Sequence, residues 1–169
     1  MGQVKSLNQI IKILEPLRKT KKIGLITGCF DILHIGHITL FDEAKKHVDL
    51  LVVGLDSDEA IKKTKGVSRP IYNQRVRCRV VASLQNVDYV FPMDNSAKFS
   101  AVEADEYYDS IAKKIKPTYI ITHQTRDTYW RKKKERAKQV GARFLAPSIK
   151  TVSSSTNIID KIINDYYSD

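Results

Sequence analysis

The chain has 169 residues, of which 42% are apolar, and its formal net charge is +10. That length suits one compact domain with a hydrophobic core and is short for two. A strong positive charge favours an anionic partner, such as a nucleotide, a sugar phosphate, nucleic acid or an acidic membrane surface, without choosing among them.

Two features of the sequence argue against other classes of protein. Cys29 and Cys78 are distant from each other, which argues against a disulfide framework or a zinc site and favours reduced thiols. The sequence has no apolar run long enough to span a bilayer, and its first residues lack the apolar core of a secretory signal. We therefore expect no membrane partner and a cytoplasmic location.

The first predicted element is an amphipathic helix over Leu7–Leu17, which Ser6 can cap. We assign residues 1–21 to an N-terminal helical extension and residues 22–169 to the main domain. Strands and helices alternate along the main domain, which predicts an α/β fold: a single-domain, Rossmann-like, doubly wound parallel sheet of five strands. The predicted strands are Lys22–Thr27, Asp49–Leu55, Val87–Phe91, Thr118–Ile121 and Ala142–Leu145. The helices are predicted within Gly28–Val48 and over Asn73–Leu84, Ala101–Ile115, Arg126–Val140 and Ser153–Tyr166, with a short helical turn at Asp56–Glu59.

The stretch Thr27–His37 carries the strongest functional signal, because it joins the first predicted strand to the helix that follows. Such a junction is where open α/β sheets bind phosphates. His34 and His37 are three residues apart on the first helical turn, so both imidazoles can point the same way and donate hydrogen bonds to phosphate oxygens. Gly28 and Gly36 would let a ligand approach the backbone. Two other interpretations stay open here: a coincidence of two surface histidines, or a metal pair without a third ligand.

Two further segments are candidates for phosphate binding. Lys62–Pro70 is predicted to be a basic loop in which glycine and proline shape the chain around Lys65 and Arg69. The hydroxyl residues of Ser153–Thr156 open the last helix, where free backbone amides form an anion site, although a single residue would suffice as an ordinary cap. The sequence shows neither a P-loop nor a serine or cysteine triad. These residues indicate phosphoryl or nucleotidyl chemistry that works by positioning and charge neutralisation.

The segment Gly28–His37 resembles the signature of the cytidylyltransferase-like nucleotidyltransferases, the superfamily named for its His-x-Gly-His. Lys65–Pro70 and Val87–Val90 resemble the adenylyltransferase domain of bacterial ADP-heptose synthases, and glycerol-3-phosphate cytidylyltransferases are also similar. Ser154–Ile159 is similar to the closing Ser-Thr-Thr-x-Ile motif of the family. The resemblance covers about Lys22 to Ile163 and identifies the main domain as a nucleotidyltransferase domain.

The resemblance implies a reaction and a set of roles. A sugar or polyol phosphate would attack the α-phosphorus of a nucleoside triphosphate that carries Mg²⁺, and a nucleotide-linked product and pyrophosphate would result. Catalytic roles fall to His34, His37 and Lys65. Nucleotide-binding roles fall to Thr27, Gly28, Cys29, Phe30, Gly36, Arg75, Ser154, Ser155 and Thr156. Acceptor-binding roles fall to Asp31, Arg69, His123 and Lys150, and no metal held by the protein itself is expected. The expected partners are the triphosphate, a small phosphorylated acceptor and a second copy of the chain.

One segment departs from the family pattern. Relatives carry a glycine-rich, acidic turn after the fourth strand, whereas this chain has Thr122–Asp127, in which the acid is missing or displaced to Asp127. We favour ATP over CTP as the donor. A glycerol-3-phosphate-type cytidylyltransferase and a cofactor adenylyltransferase acting on FMN, a nicotinamide mononucleotide or phosphopantetheine are the alternatives. The +10 charge, Trp130 and the basic run Arg131–Arg136 keep open a different class, a non-catalytic nucleic-acid-binding protein.

Overall fold

The computed structural model describes residues 1–94, 100–123, 127–149 and 154–167. The described strands are β1 (Gln3–Val4), β2 (Ile23–Gly28), β3 (Leu50–Leu55), β4 (Tyr89–Pro92), β5 (Tyr119–Ile121) and β6 (Arg143–Leu145). The described α-helices are α1 (Leu7–Leu14), α2 (Ile35–Lys45), α3 (Asp58–Lys65), α4 (Gln74–Ala82), α5 (Ala101–Ile115), α6 (Trp130–Gln139) and α7 (Ser155–Tyr167).

The strands form one sheet in the order β1-β4-β3-β2-β5-β6, and every pair is parallel. The longest pairing joins β2 to β3 from Ile23↔Leu50 to Gly28↔Leu55. The chain moves outward from β2 to β3 and β4, and then returns to place β5 on the other side of β2. This is the doubly wound arrangement predicted from the alternation of strands and helices.

Both faces of the sheet are covered, as parallel strands require. Successive residues of β3 point to opposite faces, so Leu51 and Val53 pack in one hydrophobic cluster and Val52 in the other. The first cluster contains Phe41 of α2 and the second contains Ile111 of α5. The apolar runs that predicted buried strands are thus explained by two cores, one on each side of the sheet.

The prediction of five strands was wrong, because the described residues form a six-stranded sheet. The additional strand is β1, whose two exposed residues pair with β4 at the sheet edge. The Gln3 amide donates to the Asp88 carbonyl at 2.9 Å. A strand of two exposed residues has no apolar alternation to detect, so its existence depends on the tertiary contact alone.

The first helix is shorter than predicted. α1 ends at Leu14, and a 3₁₀ turn over Glu15–Leu17 completes the segment. Ser6 caps α1 by accepting from the Gln9 amide, as the sequence predicted. Ile10 and Leu14 are completely buried in the cluster that α5 also lines, so the extension over residues 1–21 contributes to the core.

The predicted basic loop begins later than expected, because α3 continues to Lys65. Ser57 caps this helix by accepting from the Ala60 amide at 3.1 Å, and Ile61 fixes it to the core. Gly66 ends it with a φ of 96°, in the left-handed region that suits glycine. Lys65 therefore lies in the last helical turn rather than in a loop. The other cations of the turn are Lys62 and Lys63.

Two later helices begin after their predicted starts. α6 begins at Trp130 instead of Arg126, and Gly141, with a φ of 72°, follows it as the sequence predicted. α7 begins at Ser155, and Ser153 lies outside the described residues. The side chain of Ser154 accepts from the Asn157 amide at 3.1 Å, which is the geometry of a helix cap.

Candidate active site

The site lies where the winding of the sheet reverses. Strand β2 has β3 on one side and β5 on the other, so the carboxyl ends of β2 and β5 border a crevice between oppositely directed connections. In open α/β sheets this crevice is where ligands bind. The segment after β2 leads to His34 and α2, and the segment after β5 begins with Thr122 and His123.

His34 and His37 come together at the N-terminus of α2. His34 is the capping residue, and its Nδ1 accepts a hydrogen bond from the Gly36 amide at 3.1 Å. A neutral His34 ring therefore carries its proton on Nε2. The two rings are stacked with centroids 3.9 Å apart and an interplanar angle of 29°. The two imidazoles thus lie side by side at the start of α2.

His37 is held in its neutral form. Burial, followed by the charges of His34, Lys65 and His123, lowers the pKa of His37 from 6.5 to about 3. Its Nδ1 is buried and has no hydrogen-bond partner among the described residues. The surrounding positive charges show that Lys65 and His123, both predicted from the sequence, lie in the electrostatic neighbourhood of this ring. An anionic ligand would relieve that repulsion.

The loop after β2 is shaped by Phe30. Phe30 is buried with a φ of 47°, and its ring meets the His37 ring edge-on at 5.1 Å. A Cβ added to Gly28 would lie 3.1 Å from the Phe30 ring. A side chain at position 28 would therefore press on the Phe30 ring, which is a packing reason for glycine in addition to the ligand contact that the sequence suggested. Burial raises the pKa of the Cys29 thiol, even though Lys65 opposes the shift, so Cys29 is a neutral thiol.

Asp31 and Arg69 form a buried ion pair. The Arg69 Nε donates to Asp31 Oδ2 at 2.8 Å, and the amides of Ile71 and Tyr72 donate to the same carboxylate at 2.9 and 3.0 Å. Burial raises the pKa of Asp31, but these donors outweigh it and hold that pKa below its usual value. The carboxylate is therefore occupied within the protein. Arg69 still has a buried Nη2 without a partner among the described residues, so Arg69 is the member of the pair that can bind a ligand.

The start of α7 is attached to the histidine loop. The Ser155 hydroxyl donates to the Ile32 carbonyl at 3.0 Å, two residues before His34. Thr156 is exposed in the first turn of α7. The N-termini of α2 and α7 thus lie at the same loop, and the positive ends of both helix dipoles attract anions. Lys150, predicted to bind the acceptor, lies outside the described residues.

Sequence reasoning selected Arg75 of α4, but the structure gives Arg77 the central position. Arg75 is exposed, whereas Arg77 is 1% exposed. Arg77 donates to the carbonyls of Cys29, Asp56 and Tyr72 at 2.6, 2.7 and 2.9 Å, and it forms an ion pair with a carboxylate of α3. It therefore fixes the loop after β2 to the loop after β3. The buried face of α4, which includes Cys78 and Val81, is the sequence signal that could have identified it.

Sequence reasoning also missed Lys133, a buried residue of α6. Its Nζ donates to the Thr27 carbonyl at 2.9 Å and to Asp127 Oδ2 at 2.6 Å. Thr122 donates to the same Asp127 carboxylate, and the Asp127 amide donates to the His123 carbonyl at 3.0 Å. These residues, which we call the Lys133 cluster (Thr27, Thr122, Asp127 and Lys133), join the ends of β2 and β5. The displaced acid expected at Asp127 is thus neutralised by Lys133.

No group of three or more histidine, cysteine, aspartate and glutamate side chains within residues 1–94, 100–123, 127–149 and 154–167 is arranged to hold a metal ion. The same part of the chain contains no helix that is long and apolar enough to cross a membrane.

A family model described as cytidylyltransferase-like matches residues 25–161. The chain belongs to the cytidylyltransferase-like family. The matched residues include most of β2, the histidine pair and the start of α7. The resemblance drawn from the sequence is therefore confirmed. By its family, the chain is a nucleotidyltransferase. The cytidylyltransferase-like motif Gly28–His37 coincides with the crevice described above.

Curated relatives of this cytidylyltransferase-like chain carry the description bifunctional protein HldE. The one from Geobacter metallireducens is 30% identical over 166 residues, which is 98% of this chain and 32% of the relative. The one from Desulfatibacillum aliphaticivorans is 34% identical over 172 residues, again 32% of its length. The one from Aliarcobacter butzleri is 40% identical over 103 residues, 60% of this chain and 22% of that protein. The chain thus spans about a third or less of the curated relatives it matches.

Solved structures share the fold. A lipopolysaccharide core biosynthesis protein from Thermoplasma volcanium superimposes with a TM-score of 0.61 at 22% identity, over 78% of this chain and 99% of that one. A pantoate-beta-alanine ligase from Francisella tularensis superimposes with a TM-score of 0.69 at 17% identity, over 100% of this chain and 79% of that one. At these identities the likeness concerns the fold alone.

Proposed function

We propose that the chain transfers a nucleotidyl group from a nucleoside triphosphate to a sugar phosphate or polyol phosphate, with ATP favoured over CTP. The observation that carries the proposal is the stacked His34–His37 pair at the N-terminus of α2, in the crevice at the switch point. The ring of His37 is neutral, partly desolvated and surrounded by positive charge. Such surroundings favour an anionic ligand.

The proposed reaction is an in-line displacement at phosphorus. An oxygen of the acceptor phosphate attacks the α-phosphorus, a new P–O bond forms, and the bond from the α-phosphorus to the bridging oxygen breaks, so that pyrophosphate leaves. His34 and His37 donate hydrogen bonds to the phosphate oxygens on which negative charge develops, and Lys65 supplies a compensating charge. Preorganised donors of this kind lower the barrier without covalent participation.

The remaining site residues are proposed as binding groups. The α7 N-terminus, with Ser154, Ser155 and Thr156, would hold the β- and γ-phosphates. The backbone of Thr27–Phe30, Gly36 and the side chain of Arg75 would line the nucleotide. Arg69, His123 and Lys150 would face the acceptor, with Asp31 orienting Arg69. Mg²⁺ is proposed to arrive on the triphosphate, since Mg²⁺ in such sites commonly binds substrate phosphates.

Support for a sugar phosphate and for ATP comes from the relatives named HldE and from the heptose-like segments Lys65–Pro70 and Ser154–Ile159. The test is a matrix of ATP and CTP against phosphorylated sugars, glycerol 3-phosphate, FMN, nicotinamide mononucleotide and phosphopantetheine, with pyrophosphate release as the readout. We expect the largest kcat/KM for ATP with a sugar phosphate. A larger value for CTP with glycerol 3-phosphate would favour the polyol-type alternative, and no release from any pair would contradict the proposal.

A homodimer and a cytoplasmic location complete the proposal. Helix α7 carries three exposed apolar side chains that lie on one face of the helix, because position 166 is three and four residues from the other two: Ile162, Ile163 and Tyr166. An exposed apolar stripe of this kind is suited to contact with a second copy of the chain. The cysteines Cys29 and Cys78, which are free thiols, agree with a reducing compartment.

A further inference from the structure

Helix α6 has two cationic faces that differ in their partners. The cations of the inner face, Lys132, Lys133 and Arg136, form ion pairs with aspartates of α5 and of the turn after β5. The cations of the outer face, Arg131, Lys134 and Lys138, are exposed and form no ion pair with any described carboxylate. Their spacing of three and four residues places them in one row along the helix. This row is the uncompensated part of the positive charge of the helix.

The outer cations border a groove between α6 and β6. The groove has a volume of about 660 Å³, with Trp130 and Phe144 among its apolar lining residues and Arg131, Lys134 and Lys138 along its cationic side. Glu135 is the acidic residue that lines it. The Arg131 guanidinium lies 4.9 Å from the centre of the Trp130 ring and covers one face of it. The groove therefore combines an apolar floor with a surplus of positive charge.

The groove runs beside the edge of the sheet. β6 is the last strand in the sheet order and pairs with β5. The Arg143 amide donates to the Thr118 carbonyl, and the Leu145 carbonyl accepts from the Thr122 amide, so these two residues direct backbone groups towards β5. Because alternate residues of a strand direct their backbone groups to opposite sides, the amide and carbonyl of Phe144 face outward. An extended peptide can pair with such an edge.

We propose that the groove between α6 and β6 binds an acidic, extended segment of a partner protein. The segment adds a strand to β6 at Phe144, and its carboxylates meet Arg131, Lys134 and Lys138. The cationic row is about 10 Å long at 1.5 Å per helical residue. Acidic side chains at alternate positions of a strand are about 7 Å apart, so two of them fit within the length of this row. Charge complementarity selects the partner, and the strand edge fixes its conformation.

The same observations disfavour single-stranded nucleic acid as the occupant. Base stacking needs open aromatic faces, and Arg131 already covers one face of Trp130. An outward peptide amide and carbonyl at Phe144 are complementary to a peptide strand and not to a nucleotide chain.

The single tryptophan of the chain makes the proposal directly measurable, because Trp130 is in the groove. The probe is an eight-residue peptide of alternating glutamate and threonine, titrated into the full chain at physiological salt while tryptophan emission is recorded. The comparison ligands are the same peptide with glutamine in place of glutamate and a single-stranded RNA of similar length. We expect saturable binding of the acidic peptide and at least tenfold weaker binding of the glutamine peptide.

Two sets of variants locate the interaction. The triple variant Arg131→Gln, Lys134→Gln, Lys138→Gln should weaken the binding of the acidic peptide at least tenfold. The matched control Lys19→Gln, Lys21→Gln, Lys22→Gln removes the same charge from exposed positions elsewhere and should change affinity less than threefold. Phe144→Pro removes the outward amide and should weaken binding beyond Phe144→Ala.

Pyrophosphate release by the α6 triple variant should equal that of the unmodified chain, so failure of this inference is distinct from failure of the proposed function. Absence of a saturable emission change with the acidic peptide would overturn the inference. So would equal losses in the two triple variants, since these would indicate net charge alone. Tighter binding of the RNA than of the peptide, dependent on the three outer cations, would assign the groove to nucleic acid instead.

Discussion

The pKa of the His37 imidazole is set more by its surroundings than by the ring itself. Burial, followed by electrostatic interactions with His34, Lys65 and His123, lowers that pKa to about 3, and Nδ1 has no partner among the described residues. A ring in this state is a hydrogen-bond donor and not a cation. Negative charge from a triphosphate would reverse the electrostatic part of the shift, so ligand binding and protonation of His37 are expected to favour each other.

The depressed pKa of His37 predicts a pH dependence of stability. Between about pH 6.5 and 3 the unfolded chain binds a proton at His37 that the folded chain does not, so the contribution of His37 to the free energy of unfolding falls as the pH drops. The slope is at most about 1.4 kcal/mol for each pH unit. Urea unfolding of the unmodified chain and of His37→Gln at pH 7, 6 and 5 should show a smaller loss of stability in the variant. Identical losses would mean that His37 titrates normally in the folded chain.

The buried ion pair of Lys133 predicts that replacing this one residue of α6 lowers the stability of the protein strongly. Lys133→Met leaves the Asp127 carboxylate partly buried without its cation, and we expect a loss of about 3 kcal/mol in urea unfolding. The control Lys132→Met breaks an exposed ion pair with Asp105 and should cost less than about 1 kcal/mol. The double variant Lys133→Met, Asp127→Asn should recover part of the loss. Equal effects of the two single variants would show that the Lys133 cluster is not a buried ion pair in solution.

At the scale of elements, the start of α7 connects the last helix to the nucleotide loop. The Ser155 hydroxyl bonds to the Ile32 carbonyl, and Ser154 caps the helix. The same short segment thus closes its own helix and orients its amides towards the His34 loop. An anion site built in this way depends on the position of the helix and not on a single side chain.

Replacement of Ser155 with alanine should therefore act on substrate binding more than on chemistry. We expect a several-fold increase in KM for the triphosphate, since loss of a hydrogen bond of about 1 kcal/mol lets the α7 N-terminus shift. Thr156→Ala should add to this increase, and Ser110→Ala, which removes a hydroxyl from α5 outside the crevice, is the control. Initial rates over a range of triphosphate concentrations provide the measurement. An unchanged KM would restrict Ser155 and Thr156 to a capping role.

Which elements could be predicted depended on how local their causes are. The strand-to-helix junction at His34 could be predicted because the apolar run, the glycines and the two histidines all lie close together in the sequence. β1 could not, since two exposed residues become a strand only by pairing with β4. The roles of Arg77 and Lys133 were also hidden, because Arg77 contacts a carbonyl 48 residues away and Lys133 one that is 106 residues away. Contacts of that range follow from the fold; the pattern of α4 could at most have placed Arg77 on the buried face, without revealing its partners.

Over the whole molecule, the positive charge is unevenly distributed. Part of the +10 charge surrounds the crevice at Lys65, and part lies on the outer face of α6 at Arg131, Lys134 and Lys138. The composition indicated an anionic partner, and the structure divides that expectation between two surfaces. The family assignment explains the first surface, and the groove at β6 is a separate hypothesis.

The exposed apolar stripe of α7 predicts a homodimer at the whole-molecule scale. Light scattering coupled to size exclusion should give twice the 19.3 kDa chain mass. Ile162→Lys together with Ile163→Glu should shift the chain to a monomer without loss of helical circular dichroism. Val102→Lys, at an exposed apolar position on α5, is the control. A monomer for the unmodified chain would contradict the prediction, and a dimer in the α7 variant would place the contact elsewhere.

In the proposed mechanism, the stacked rings of His34 and His37 bind the triphosphate during nucleotidyl transfer. The most direct measurement is kcat for pyrophosphate release by the unmodified chain and by His37→Ala, using the best donor and acceptor pair and with folding verified by circular dichroism. We expect a fall of at least about 100-fold, which corresponds to roughly 2.7 kcal/mol of transition-state stabilisation. A fall of less than about tenfold, or ~1.4 kcal/mol, in a correctly folded variant would contradict it.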